Sequence, residues 1–179
     1  KTNSKFKISK FNKYLITTIS LLFIYLFYLS IPILYDKGWV QNNIENQLLK
    51  EFKINFSITH DISYRILPSP HFIIKDSKIF RESSGKIAAL ADVKILKVFI
   101  SQKNFFNKEK ITLKYIKINK ANFSLLSSDL KLLKKNSINR FSNKKIEINK
   151  SNIFFKNESN ETLSIIKISK AFLILDSEN

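Results

Sequence analysis

"SYRILPSPHFIIKDSKIF", residues 63–80, sets two of the chain's three prolines, Pro68 and Pro70, between runs that alternate apolar and polar residues. Proline has no N–H to give to a β-ladder, so within a sheet it marks an edge, a bulge or a break between strands. Strands on both sides argue against a linker, and a polyproline ligand motif would hold more proline. The pair reads as the break where a first hairpin ends and the chain re-enters a sheet through "FIIKDSKIF".

Outward from that break, period two dominates. "INFSITHDISYRIL" alternates through Phe56, Ile58, Ile62, Tyr64 and Ile66, with Thr59–Asp61 as a turn. Downstream, "AALADVKILKVFI", "KITLKYIKINKANFSLL", "KKIEINKSNIFFKN" and "SIIKISKAFLILD" read as strands, and "SSDLKLLKKNSINRFSN" as a polar loop or short helix. "IKINKANFSLL", "IEINKSNIFFK" and "IKISKAFLILD" share one unit: apolar-x-apolar, polar, Lys-small, then a second apolar stretch. "IIKDSKIF" is a looser relative. The small residue (Ala121, Ser151, Ala171) falls where the strand must bend or bulge. The starts, Ile116, Ile146 and Ile166, are unequally spaced, so this is no fixed-period solenoid.

The expected fold is mainly β: an extended, curved, antiparallel-type sheet. Its apolar face must be covered by curling, by a further C-terminal part, or by something greasy in an open groove. Alternation makes Ile116, Ile118, Phe123 and Leu125 candidates for a groove lining, with Ile146, Ile148, Ile153 and Phe155 in the next unit, and Ile166 and Ile168 in the last. The chain lacks Met even at position 1, and "FLILDSEN" stops within three residues of a strand, so a longer parent is expected.

Upstream, "WVQNNIENQLLKEF" carries Val40, Ile44, Leu48 and Phe52 at i, i+4 spacing, one amphipathic helix within 36–52 that would cap the sheet. Before it, "YLITTISLLFIYLFYLSIPILY", Tyr14–Tyr35, holds no charged residue. As a helix that run is about 33 Å long, enough for a hydrocarbon core of about 30 Å. Leu22, Ile24 and Leu26 form its middle, and Tyr14 at one end with Tyr35 and Trp39 at the other fits an aromatic belt. A cleavable signal peptide would have an apolar region of ~7–15 residues and a small-residue cleavage site, which "IPILYDKG" does not offer. Residues 1–13 hold five lysines and no acid, whereas 36–50 are charge-balanced. The positive-inside rule then makes 1–13 a cytoplasmic tail, 14–35 a transmembrane helix, and 53–179 a β-rich domain beyond the membrane.

A net charge of +17 raises nucleic acid as a partner. Only Arg65, Arg81 and Arg140 are arginine, however, and the lysines are spread along the chain without a basic helix, so none is expected. There is no cysteine, which removes disulfides, thiolate metal sites and a thiol nucleophile. His60 adjoins Asp61 in the turn, and His71 has no carboxylate within two residues. H-E-x-x-H, a Gly-rich phosphate loop and G-x-S-x-G are all missing, and the Ser-x-x-Lys matches are what this much Ser and Lys produces by chance. No enzyme, cofactor or metal is expected.

In this order the segments resemble the N-terminal region of the AsmA family, inner-membrane-anchored periplasmic proteins of Gram-negative bacteria. That family opens with a transmembrane helix, an amphipathic helix, then a strand pair and P-x-P feeding a further strand. The counterparts here are Tyr14–Tyr35, "WVQNNIENQLLKEF", "INFSITHDISYRILPSP" and "HFIIKDSKIF". "AALADVKILKVFISQKNFFNKEKITLKYIKINKANFSLL" and the later "IEINKSNIFFKN" match further units, with family glycines replaced by His60 and Ser151. The resemblance covers nearly the whole chain through an ordered set of motifs. It implies a periplasmic role in outer-membrane biogenesis, with phospholipid acyl chains carried along an apolar β-groove. The other reading is a scaffold binding outer-membrane assembly proteins through sheet edges.

Overall fold

The computed structural model describes residues 9–52, 55–59, 61–83, 86–103, 105–106, 111–126 and 145–174. The uncharged run has no polar face to segregate, and it folds as one helix, α1 (Lys10–Ser30), prolonged by a 3-10 turn, Ile31–Leu34. Pro32 sits at the start of that turn, where a missing N–H costs nothing. Lys10–Leu34 is 25 residues long, with mean hydropathy 2.0 over its most apolar 18-residue window, and is a candidate membrane span. Asp36 then accepts the Trp39 N–H at 2.8 Å and starts α2 (Lys37–Phe52).

Val40, Ile44 and Leu48 on α2 are buried in the core, as their spacing requires. One flank of α2 is fastened by Gln41, which donates to the Ile58 carbonyl at 2.9 Å, and by Glu45, which accepts the Ile58 N–H at 2.7 Å. On the other flank Gln47 donates to the Ile111 carbonyl. The Phe52 side chain, His60 and residues 127–144 lie outside the described residues.

Among the described residues seven strands make one open sheet: β1 (Asn55–Ser57), β2 (Ile62–Arg65), β3 (His71–Ser83), β4 (Lys86–Ile100), β5 (Leu113–Leu126), β6 (Lys145–Lys156) and β7 (Thr162–Ile174). The order is β1-β3-β4-β5-β6-β7, with β2 also on β3. Two details differ from the sequence reading. First, β1 and β2 form no hairpin with each other; both pair antiparallel with β3, as two segments of one broken edge strand. Running both along β3 puts Phe56, Ile58 and Ile62 into one core, which a two-strand hairpin alone could not do. The proline break is instead the loop of the β2–β3 hairpin, and Pro70 accepts the Ile100 N–H at 3.1 Å.

Second, the sheet is not antiparallel throughout: β5 and β6 run parallel. The two copies of the shared unit lie side by side in register, Ile116 against Ile146, Ile118 against Ile148, and Asn119 against Asn149. Like then meets like. Asn149 donates to Asn119 at 3.2 Å and Asn152 to Asn122 at 3.0 Å, while the Ser151 hydroxyl accepts the Ala121 N–H at 3.0 Å.

The shared Lys-small step has a backbone cause. Lys120 (φ 55°) and Lys150 (φ 47°) are left-handed, as is Asp76 (φ 50°) in β3. The small residue Ser151 is not itself left-handed; the left-handed residue is Lys150, one position earlier. Each such residue slips the side-chain alternation by one. The core-facing set in β5 runs Ile116, Ile118, then Ala121; in β6 it runs Ile146, Ile148, then Ser151; in β3, Phe72, Ile74, then Ser77. A left-handed non-glycine residue costs roughly 1–2 kcal/mol. Lys150→Gly should therefore raise stability by up to about 1 kcal/mol, whereas Lys145→Gly, in the regular part of β6, should lower it by about 0.5–1 kcal/mol. Thermal unfolding followed through Trp39 fluorescence checks the opposite signs.

Candidate functional site

No group of three or more His, Cys, Asp or Glu that could hold a metal occurs among the described residues. The chemistry that the structure does concentrate is at the foot of α1 and on the two faces of the sheet.

At the foot, tyrosine hydroxyls meet backbone carbonyls. Tyr28 donates to the Gln102 carbonyl, Tyr35 to the Phe105 carbonyl at 2.5 Å, and Tyr64 to the Leu29 carbonyl at 2.7 Å. Tyr25 donates to the Gln102 side chain at 3.3 Å. The Tyr28 ring lies 5.4 Å from both Phe105 and Phe106, and Tyr35 meets Trp39 edge-on at 5.4 Å. Burial pushes the Tyr64 hydroxyl well above the ordinary tyrosine range, so it remains a donor. These contacts join α1 to the end of the sheet carrying the β2–β3 and β4–β5 connections. Tyr35 and Trp39, expected as belt residues, take part in this joint; Tyr14, Leu22, Ile24 and Leu26 stay exposed on α1.

The apolar face divides into a covered half and an open half. Ile116, Ile118, Ile146 and Ile148, candidates for the groove lining, are buried in one cluster with Val40, Ile44 and Leu48 of α2. They are core rather than an open surface. Phe123, Leu125, Ile153, Phe155 and Ile168 are half-buried, and Ile166 and Leu173 are 48% and 46% exposed. The reason is size. Helix α2 is about 24 Å long and about 10 Å wide, whereas five long strands span about 24 Å by about 43 Å, so the lid reaches only part of the apolar face.

Among the described residues the opposite face is packed by its own side chains. His71 stacks on Phe99 at 4.7 Å and Phe99 on Tyr115 at 4.2 Å, with the Lys117 ammonium 5.7 Å from the Phe99 ring centre. Lys145 and Lys170 stand 4.0 and 4.8 Å over Phe172. Glu147, 8% exposed, pairs with Lys117 at 2.9 Å and Lys170 at 3.7 Å and accepts from Asn149 at 3.2 Å. Burial alone would raise its carboxyl, but the Lys117 and Asn149 hydrogen bonds and the two ammonium charges outweigh that and hold it below the usual range. Towards the foot this face is thus basic and hydrogen-bonded, whereas its far end carries Phe154 and the 53%-exposed Ile165.

Comparison with protein-family models, with curated proteins and with solved structures finds no match to the chain.

His71 supplies a pH test. Its Nδ1–H donates to the Ser69 carbonyl at 2.7 Å, and burial, with smaller contributions from Lys97, Arg65 and Lys117, holds its pKa below the ordinary value. The unfolded chain therefore takes up the proton first, so this contribution to stability is full above about pH 6.5 and declines as pH falls towards the lowered folded-state value. Thermal unfolding of His71→Phe, which keeps the stack, should show a flatter pH dependence just below about pH 6.5 than the parent chain. Identical slopes would contradict a buried neutral imidazole.

Proposed function

We propose that this chain is an AsmA-like protein anchored in the bacterial inner membrane with its sheet in the periplasm. It serves outer-membrane biogenesis by conducting phospholipid acyl chains along the open half of its apolar face. The excess of lysine before the span supports that orientation. The observation that carries the reading is that the apolar face runs on past its lid, away from the foot of α1. Phe155 lies ten residues along β6 from Lys145, about 33 Å from the strand's foot-side start. An acyl chain leaving a bilayer forfeits about 0.8 kcal/mol per CH₂ unless a continuous apolar path replaces the lipid. Phe123, Leu125, Ile153, Phe155 and Ile166 offer such a path, with head groups left to water beside it.

Photo-crosslinking residues at Phe155 and Ile166, and at Phe154 on the opposite face at the same height, test this in the full chain reconstituted in phospholipid vesicles. Lipid adducts several-fold more abundant at Phe155 and Ile166 than at Phe154 are expected. Equal capture on both faces contradicts conduction, as does protein capture alone, which would favour the scaffold reading.

A further inference from the structure

The apolar side chains left bare at the foot of α1 do not belong to the open face. Phe106 on the β4–β5 connection is 76% exposed and Leu67 on the β2–β3 loop is 78% exposed, with Ile33 and Leu34 of the 3-10 turn exposed beside α1. All four sit at the end of the sheet to which α1 is joined.

Length then places these side chains. A hydrocarbon core of about 30 Å takes up about 20 helical residues. Counted from the residue after Lys13, the last lysine before the uncharged run, it ends near Ile33. Gln102 and Phe106 contact α1 at Tyr25 and Tyr28, eight and five residues before Ile33, or about 12 and 8 Å along the axis. A core beginning nearer Lys10 ends near Ser30 and still overlaps the Tyr28 contact. In either placement the β4–β5 connection stands level with the membrane boundary and not above it.

Backbone satisfaction agrees. A loop that leaves water must have its carbonyls paired by protein. The carbonyls of Gln102 and Phe105 accept from Tyr28 and Tyr35, and Ile100 N–H is paired to Pro70. The polar groups at this end turn inward to tyrosines while Phe106 and Leu67 turn outward. Lys103 nearby is exposed and long enough to reach lipid phosphate.

We propose that Phe106 and Leu67 form a membrane foot, inserted into the acyl boundary of the leaflet from which α1 emerges. The inference rests on reading α1 as a membrane span. Its consequence is that the base of the sheet is held in the lipid surface, so the apolar face starts at the bilayer and needs no intermediary to receive an acyl chain.

Because the chain has no cysteine, single-cysteine variants Phe106→Cys, Leu67→Cys, Leu22→Cys and Lys78→Cys can each carry one environment-sensitive fluorophore. The full chain is placed in phosphatidylethanolamine–phosphatidylglycerol vesicles with a quencher near the head group or near the middle of the acyl chain. The probe at Leu22 should be quenched best by the deep quencher, and the probe at Lys78 by neither. Probes at Phe106 and Leu67 should be quenched by the shallow lipid about twofold or more over the deep one, matching interfacial burial of about 5–10 Å. If Phe106 and Leu67 behave like Lys78 while Leu22 is quenched, the foot is wrong and the anchor stands. Probes shielded from water but untouched by either quencher are covered by protein, a second copy included, which also overturns it. An unquenched Leu22 removes the anchor and the foot together.

Discussion

A β-strand shows its two faces in strict alternation, and apart from one-residue bulges near strand ends at Leu90, Lys114 and Leu163 the sheet departs from that rule along one transverse line. Pairing skips Asp76 and Lys94 between β3 and β4, Lys94 and Lys120 between β4 and β5, and Lys150 and Ser169 between β6 and β7. Between β5 and β6 it skips Lys120–Ala121 and Lys150–Ser151. The broken edge strand parts at the same level, where Lys75 N–H meets the Asp61 carbonyl. Without the slip, Ile153 and Phe155 would project to the face opposite Ile146 and Ile148. The left-handed residue costs roughly 1–2 kcal/mol, against about 1.5–3 kcal/mol for each large apolar side chain fully buried. Two such side chains per strand, even half-covered, offset it.

The same line accounts for the small residues. Ser77, Ala121 and Ser151 are nearly fully buried where the bent strands have least room, and the Ser151 hydroxyl pairs the Ala121 N–H that the broken ladder would leave free. It also lets one apolar face run the length of the sheet, under α2 and then beyond it. The foot of α1, the lid and the open half then form a sequence from the candidate membrane span outward. The proposed lipid path and membrane foot are two consequences of that arrangement.

Much of this was legible in the residues. The uncharged run, the Val40–Ile44–Leu48 stripe and the alternating strands each obey a local rule, and the Lys-small step flagged the bend. The parallel pairing of β5 and β6 was not legible as long as each strand was taken alone. Its signals were the identical order of Ile, Asn and Lys in both units and the 18 residues between Leu126 and Lys145, long enough for the crossover that parallel strands require. The lining candidates divided into core and open surface because alternation reports which face a residue takes, not how far a 16-residue lid reaches. Phe106 and Leu67 carry no local signal, because their meaning comes from the tyrosines of a helix some 40 to 80 residues away in sequence.

The central claim is the slip itself, and a nitroxide scan along β6, one cysteine at a time from Lys145 to Lys156, reads it directly. Accessibility to a water-soluble relaxing agent should be low at Ile146, Glu147 and Ile148, high at Lys150 and low again at Ser151, with the apolar side resuming at Ile153 and Phe155. Unbroken alternation, with minima at Ile146, Ile148, Lys150, Asn152 and Phe154, would contradict the slip.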